Sequence, residues 1–330
     1  MAPRAARPRP RLLTALANPA WEQRFLACKR LTGEAGRAEF LALGKAQQKQ
    51  VAEALLHLLD DPTPQVRSQA AAALGRLAWR PAAERLVTAL ADPHEWVRIQ
   101  VAEALGLLGT PALAPMIARQ LEAEEDPHVR ATLVKTLGLI GDAKMLPVLA
   151  LHLEDKDSRV RANSIEAISQ LKVSKADRQK LLARVANDPN NRVRANLAIS
   201  LLEIGVAKGR EILDEMLTSP DEYMRASATY ALGHLGRPAD LPRLIERLED
   251  PSWLVRKNAV RALVKQGARA LPRVTAALSS PDPHVRIGAL EVIGQWREAS
   301  ARQAVIALLE DELGEVRSKA EEVLDLLDGY

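Results

Sequence analysis

Apolar residues recur along this chain in steps of three and four, and the groups of steps recur in turn. The pair Val-Arg stands at Val66-Arg67, Val97-Arg98, Val129-Arg130, Val160-Arg161, Val193-Arg194, Val255-Arg256, Val285-Arg286 and Val316-Arg317, with Met224-Arg225 in the same place once. Successive arginines are 31, 32, 31, 33, 31, 31, 30 and 31 residues apart. Gln23-Arg24 opens a tenth, weaker copy 43 residues before Arg67, and the additional residues fall around 33–45. Seven residues after each arginine stands Leu or Ile, from Leu31 and Leu74 to Ile293 and Leu324, and three after it a mostly small residue such as Ala27, Ala70, Ser164 or Ala320. With the valine, these positions share one face of a helix. Small residues in mid-helix let a neighbouring helix approach closely. A second apolar run precedes each Val-Arg, for example 51–59, 86–90, 146–153 and 241–248, and commonly ends at Asp-Pro. Proline disfavours helix in the residue before it and has no N–H to donate, so one helix stops there and a turn begins. The pattern predicts a helix A, a turn and a helix B, a hairpin of 31 residues repeated ten times. A glycine after the leucine, as at Gly75, Gly106, Gly138, Gly233 and Gly294, falls near where helix B should end.

Six residues before the arginines runs a polar, mostly acidic series: Asn18, Asp61, Asp92, Glu124, Asp155, Asp188, Ser219, Asp250, Ser280 and Asp311. A carboxylate in the turn and a guanidinium in helix B can bond each other or the neighbouring repeat's copy. Asp61, Asp92, Asp155, Asp188, Asp250 and Asp311 with Arg67, Arg98, Arg161, Arg194, Arg256 and Arg317 are thus expected to form a ladder. All ten arginines would be committed to it rather than open to an anion.

The pattern Asp-Pro-x-x-x-Val-Arg-x-x-Ala-x-x-x-Leu-Gly-x-Leu, met nearly throughout by Asp61-Pro62, Val66-Arg67, Ala70, Leu74-Gly75 and Leu77, resembles the HEAT repeat in its short bacterial, phycobilisome-lyase-like form. The resemblance covers roughly 12–328 and implies an all-α fold, a right-handed, armadillo-like α-solenoid of about ten hairpins. In that family helix A lies on the convex side and helix B lines the concave one. The expected organisation is a basic Pro/Arg-rich tail at 1–11 and a single solenoid at 12–330, with a first repeat at 12–32, a connector at 33–45 and nine repeats at 46–330.

Composition agrees with helices. Hydrophobic residues make up 47% of the chain and aromatics only 3%, so Ala, Leu, Val and Ile must fill the core. Cys28 is the single cysteine, which rules out an intrachain disulfide and fits a reducing compartment. No run is apolar enough for a signal-peptide core or a membrane span, so a cytoplasmic protein without membrane insertion is expected. The net charge of +4 resides in Arg4, Arg7, Arg9 and Arg11, and removing them leaves 42 basic against 42 acidic residues. The segment 310–330 carries eight acids against Arg317 and Lys319. Weak nucleic-acid binding through the tail, and head-to-tail self-association of tail with acidic end, both follow from this asymmetry.

Catalytic signatures are missing: no Gly-x-Ser-x-Gly, no phosphate-binding glycine loop and no His-Glu-x-x-His. The six histidines are scattered, and the only His-Glu pair, His94-Glu95, falls in a turn. No catalytic residue, cofactor or metal site is expected. Binding then falls to two rows. One lies on helix B: Asn163, Asn196 and Asn258, with Tyr230, His234, Arg261 and Lys265 further along, on what the resemblance makes the concave wall. The alternative for the amides is that they bond neighbouring backbone and stiffen the stack. The other row is the A–B turn, with Trp96, Tyr223 and Trp253, whose alternative is lateral packing against the next turn. The leading function is a non-enzymatic scaffold or adaptor for a protein or peptide. A bilin-lyase-like or chaperone-like helper of a chromophore protein is the alternative that the repeat type implies.

Overall fold

The computed structural model describes residues 11–329. The described residues divide into two compact units, with the boundary between 184 and 185. In the first, α1 (Arg11–Leu16) and α2 (Trp21–Thr32) form a hairpin, followed by α3 (Glu34–Ala42). Then come α4 (Lys45–His57) with α5 (Pro64–Arg76), α6 (Ala83–Ala89) with α7 (Glu95–Leu108), α8 (Ala114–Ala123) with α9 (Pro127–Ile140), α10 (Leu146–Leu151) with α11 (Ser158–Gln170), and α12 (Lys175–Leu182). The second unit holds α13 (Asn191–Glu203), α14 (Lys208–Leu217) with α15 (Glu222–Leu235), α16 (Leu241–Glu246) with α17 (Trp253–Gln266), α18 (Leu271–Ala277) with α19 (Pro283–Trp296), and α20 (Arg302–Ile306) with α21 (Gly314–Asp328). Among the described residues there is no strand. The fold is an all-α solenoid of helix hairpins.

The long helices are the B helices, and they start where the turn chemistry tells them to. Asp126, Asp157, Asn190, Asp221 and Asp282 each accept a backbone N–H of the following first turn. Pro64, Pro127 and Pro283 occupy the first helical position of α5, α9 and α19, where no donor is lost. Apart from α4, which matches α5 in length, the A helices are shorter, and several close in a 3-10 turn just ahead of the ladder acid, as at Leu58–Asp60, His152–Glu154 and Arg247–Glu249.

B helices pack in sequence order within each unit: α2, α5, α7, α9 and α11 in the first, α13, α15, α17, α19 and α21 in the second. The face that packs is the one the four-residue steps foretold. Val66, Ala70 and Leu74, and likewise Val160, Ser164 and Ile168, are wholly removed from solvent. Cys28 is also fully buried, and burial with the nearby Asp61 charge pushes its thiol up to about 12.

One expectation needs correction. The stretch 33–45 is not a plain connector: α3 occupies most of it, because Phe40 is buried and meets Trp79 edge-on at 6.3 Å between ring centres. The recurring glycine does fall near the helix end, one residue before the last of α5 at Gly75 and two before the last of α9 and α15 at Gly138 and Gly233. What requires the glycine is the next B helix: a Cβ at Gly75 would lie 2.7 Å from Ala104 Cα, one at Gly138 2.6 Å from Ala167 Cα, and one at Gly233 2.5 Å from Ala262 Cβ. Gly138→Ala is therefore expected to force α9 and α11 apart and to cost about 1–3 kcal/mol, read as a lower urea midpoint. An unchanged midpoint would mean that the two helices can separate freely.

Candidate functional site

The turn acids and the helix-B arginines meet across repeats. Arg24 Nε donates to Asp61 at 2.6 Å, Arg67 Nε to Asp92 at 2.6 Å, and Arg98 Nη2 to Glu124 at 2.7 Å. Arg130 Nε reaches Asp155 at 2.9 Å, Arg225 Nε reaches Asp250 at 2.8 Å, and Arg286 Nη2 reaches Asp311 at 3.0 Å. Each pair joins one repeat's arginine to the next repeat's acid. The third guanidinium nitrogen holds the arginine's own turn: Arg67 Nη1 donates to the Asp61 and Pro62 carbonyls, Arg98 Nη1 to those of Asp92 and Pro93. Arg161 and Arg317 make the same turn bonds, to Asp155 and Lys156 and to Asp311 and Glu312. Asp188 accepts the Asn190 N–H.

Desolvation pushes Asp61, Asp92 and Asp250 upward, but the guanidinium and a backbone N–H two residues on outweigh it, so each stays below the ordinary carboxylate value. The same holds for Asp311. Asp157, a cap rather than a rung, is lowered to about 2, chiefly by its hydrogen bonds from the Arg159 guanidinium.

Two rungs depart from the pattern, because Ser219 and Ser280 replace the acid. Arg194 turns instead to Glu215 on α14. Arg256 has no carboxylate within ion-pair distance among the described residues, and only its Nη1 is engaged, on the Asp250 and Pro251 carbonyls. The commitment of all ten arginines to a ladder fails at this position, since a serine is too short and uncharged.

Helix α17 carries Arg256, Lys257, Arg261 and Lys265 and no acid. Trp253, Lys257, Arg261 and Lys265 lie four residues apart on one exposed stripe, with Trp253 62% exposed. Lys257 Nζ stands 5.2 Å from the centre of the Trp253 ring. On the neighbouring α15, Tyr230 occupies the position equivalent to Arg261 and is 59% exposed, with its ring centre 6.2 Å from that of His234. Tyr223 is equally exposed in the first turn of that helix. Between α17 and α19 runs a groove of about 460 Å³ that reaches Glu315 on α21. Sequence reasoning had Tyr230, His234, Arg261 and Lys265 as one patch; it missed Lys257, although the four-residue stripe from Trp253 contains it.

The amides are placed differently. Asn163 and Asn258 donate to the Ala131 and Ala226 carbonyls one repeat back, at 2.8 and 3.0 Å, as the stack-stiffening alternative requires. Asn196 also has interaction partners. The second row is corrected: Trp96, Tyr223 and Trp253 sit in the first turns of α7, α15 and α17 rather than in the preceding turns. They are helical because the cap residue stands earlier than the valine spacing implied. Trp96 is half-buried against His94, ring centres 5.8 Å apart. Arg4, Arg7 and Arg9 lie outside the described residues, and Arg11 opens α1. No group of three or more His, Cys, Asp or Glu could hold a metal ion among the described residues, and no helix is long and apolar enough to cross a membrane.

A family profile for HEAT repeats matches residues 52–124, 83–169, 114–202, 178–264 and 241–325. The chain belongs to the HEAT-repeat family. Among solved structures, this HEAT chain is similar to one in a structure of Kap95p bound to RanGDP, with a TM-score of 0.56 and 13% identity over 96% of this chain and 49% of that one. An engineered protein aligns with 18% identity over 96% of this chain and 98% of its own, at a TM-score of 0.40. No curated protein matches the HEAT chain.

Proposed function

We propose that this protein is a non-enzymatic interaction scaffold that holds a protein or peptide segment against the exposed helix-B face of its second unit. The observation that carries the reading is α17: a helix with four basic residues and no acid, three of them on one exposed stripe with Trp253, beside the exposed Tyr223 and Tyr230 of α15. Aromatic and Arg side chains are the usual anchors of protein interfaces. Lys257, Arg261 and Lys265 have no carboxylate partner among the described residues, so a partner's acid would not have to displace one. HEAT solenoids commonly serve such a role, and the chain in the Kap95p structure belongs to a protein assembly.

The test is capture of partners by wild type and by a variant carrying Tyr230→Ala, Arg261→Glu and Lys265→Glu. All three side chains are exposed, so far-ultraviolet circular dichroism should stay unchanged. A discrete protein held by wild type through nuclease treatment, and bound at least 100-fold more weakly by the variant, is the expected result. Retention by the variant sinks the reading, and recovery that vanishes with nuclease gives the function to nucleic acid instead. The bilin-lyase-like reading rests on the repeat type alone and predicts a chromophore protein as the captured species.

A further inference from the structure

The ladder acid does two things at once. Its carboxylate accepts the backbone N–H two residues on, as Asp61 does from Thr63 at 2.9 Å and Asp250 from Ser252 at 2.9 Å, and it takes the arginine fork of the preceding repeat. Ser219 and Ser280 keep only the first role, accepting the Asp221 and Asp282 N–H at 3.2 Å. At the first serine Glu215, ten residues before Arg225, supplies the missing carboxylate to Arg194. The equivalent residue ten before Arg286 is Ala276, which has none.

Arg256 is therefore held in rung geometry by its own turn, with the Nε and Nη2 edge left without the paired oxygens found elsewhere, where Arg67 gives 2.6 and 2.9 Å to Asp92. That arginine lines the groove between α17 and α19 together with Trp253, Lys257, His284, Glu291 and Glu315. We propose that this groove is a receptor for a single carboxylate side chain of an acidic peptide, whose two oxygens complete the rung on Arg256. The proposal deepens the scaffold reading and rests on it for the peptide's origin. A planar bidentate acceptor is what the same fork takes at Arg24, Arg67, Arg98, Arg130 and Arg225. Lys257 and His284 add donors beside it, and Trp253 offers an apolar surface to the peptide's next side chain. Glu291 and Glu315 on the other side of the groove repel a run of negative charge, which favours an isolated Asp or Glu among neutral residues over a nucleic-acid strand or an oligophosphate.

The experiment uses the full chain with a Gly-Ser peptide carrying one Glu-Leu pair, its Gln-Leu counterpart, and inorganic phosphate and acetate as competitors. The Arg256 Nε–Hε resonance, assigned by its loss in Arg256→Lys, reports occupancy. We expect the Glu peptide to shift it saturably and the Gln peptide to bind at least tenfold more weakly. Ser280→Asp restores the Asp-Pro motif and fills the fork from within, so it should abolish peptide binding and raise the thermal midpoint. Equal affinity of wild type and Ser280→Asp for the Glu peptide, or no saturable shift in wild type, overturns the proposal. Phosphate displacing the peptide at a lower concentration than acetate does would make it a phosphate site and overturn it too. If Ser280→Asp keeps the captured partner while the Tyr230, Arg261 and Lys265 variant loses it, the carboxylate receptor falls and the scaffold stands. If that variant also keeps its partner, both fall.

Discussion

Asp92→Ala is expected to lower the unfolding free energy of the first unit by about 3–5 kcal/mol. The side chains of Arg67 and Asp92 are only 12% and 7% exposed, so removing the carboxylate leaves a desolvated guanidinium without its counter-charge. The His94 N–H loses its acceptor as well, which loosens the turn that starts α7. Urea unfolding followed by circular dichroism measures the loss. Replacing both partners, Arg67→Met with Asp92→Leu, should recover much of it, since the cost lies in the orphaned charge and not in the pair's net strength. A loss below about 1 kcal/mol for the single variant would show the rung to be worth no more than an exposed ion pair.

Acid should unfold this protein through the same rungs. Asp61, Asp92, Asp250 and Asp311 all titrate below the ordinary value of 3.8 in the folded chain, and Asp157 near 2. A depressed folded pKa contributes stability that is complete above the unfolded value and disappears as pH falls through the folded one. The thermal midpoint is accordingly expected to be nearly level between about pH 5 and 7 and to drop steadily below about pH 4. Because the rungs repeat, the fall should be steeper than one carboxylate can produce. Asp92→Asn should flatten part of it. A midpoint unchanged down to about pH 2 would remove the ladder from the stability of the fold.

The helix hairpins, the core face and the residue types that pair were legible in the spacing, because a solenoid repeats one local solution and each repeat reports on the others, but whether acid and arginine pair within a repeat or across two was left open. The insertion at 33–45 had no copy to be compared with, so the burial of Phe40 against Trp79 gave no periodic signal. The glycines were visible and do fall near the helix ends, but the reason they are needed was not legible there: it is an alanine of the next helix B, 29 residues away in sequence for Gly75 and Ala104. Asn163 and Asn258 are a similar case, since nothing in one helix says whether an amide faces solvent or a carbonyl one repeat back.

By itself the sequence determined the hairpin repeat, the apolar face of each B helix and the residue types of the ladder, because those depend on periods of four and of about thirty-one that a single chain displays in full. It also held the two serines that break the ladder. Only the tertiary structure decided what those breaks mean: Glu215 lies where it can reach Arg194, and among the described residues no carboxylate reaches Arg256. Whether a charge is spent or open depends on which side chains arrive from the next helix, and that is a matter of distance across repeats rather than of order along the chain.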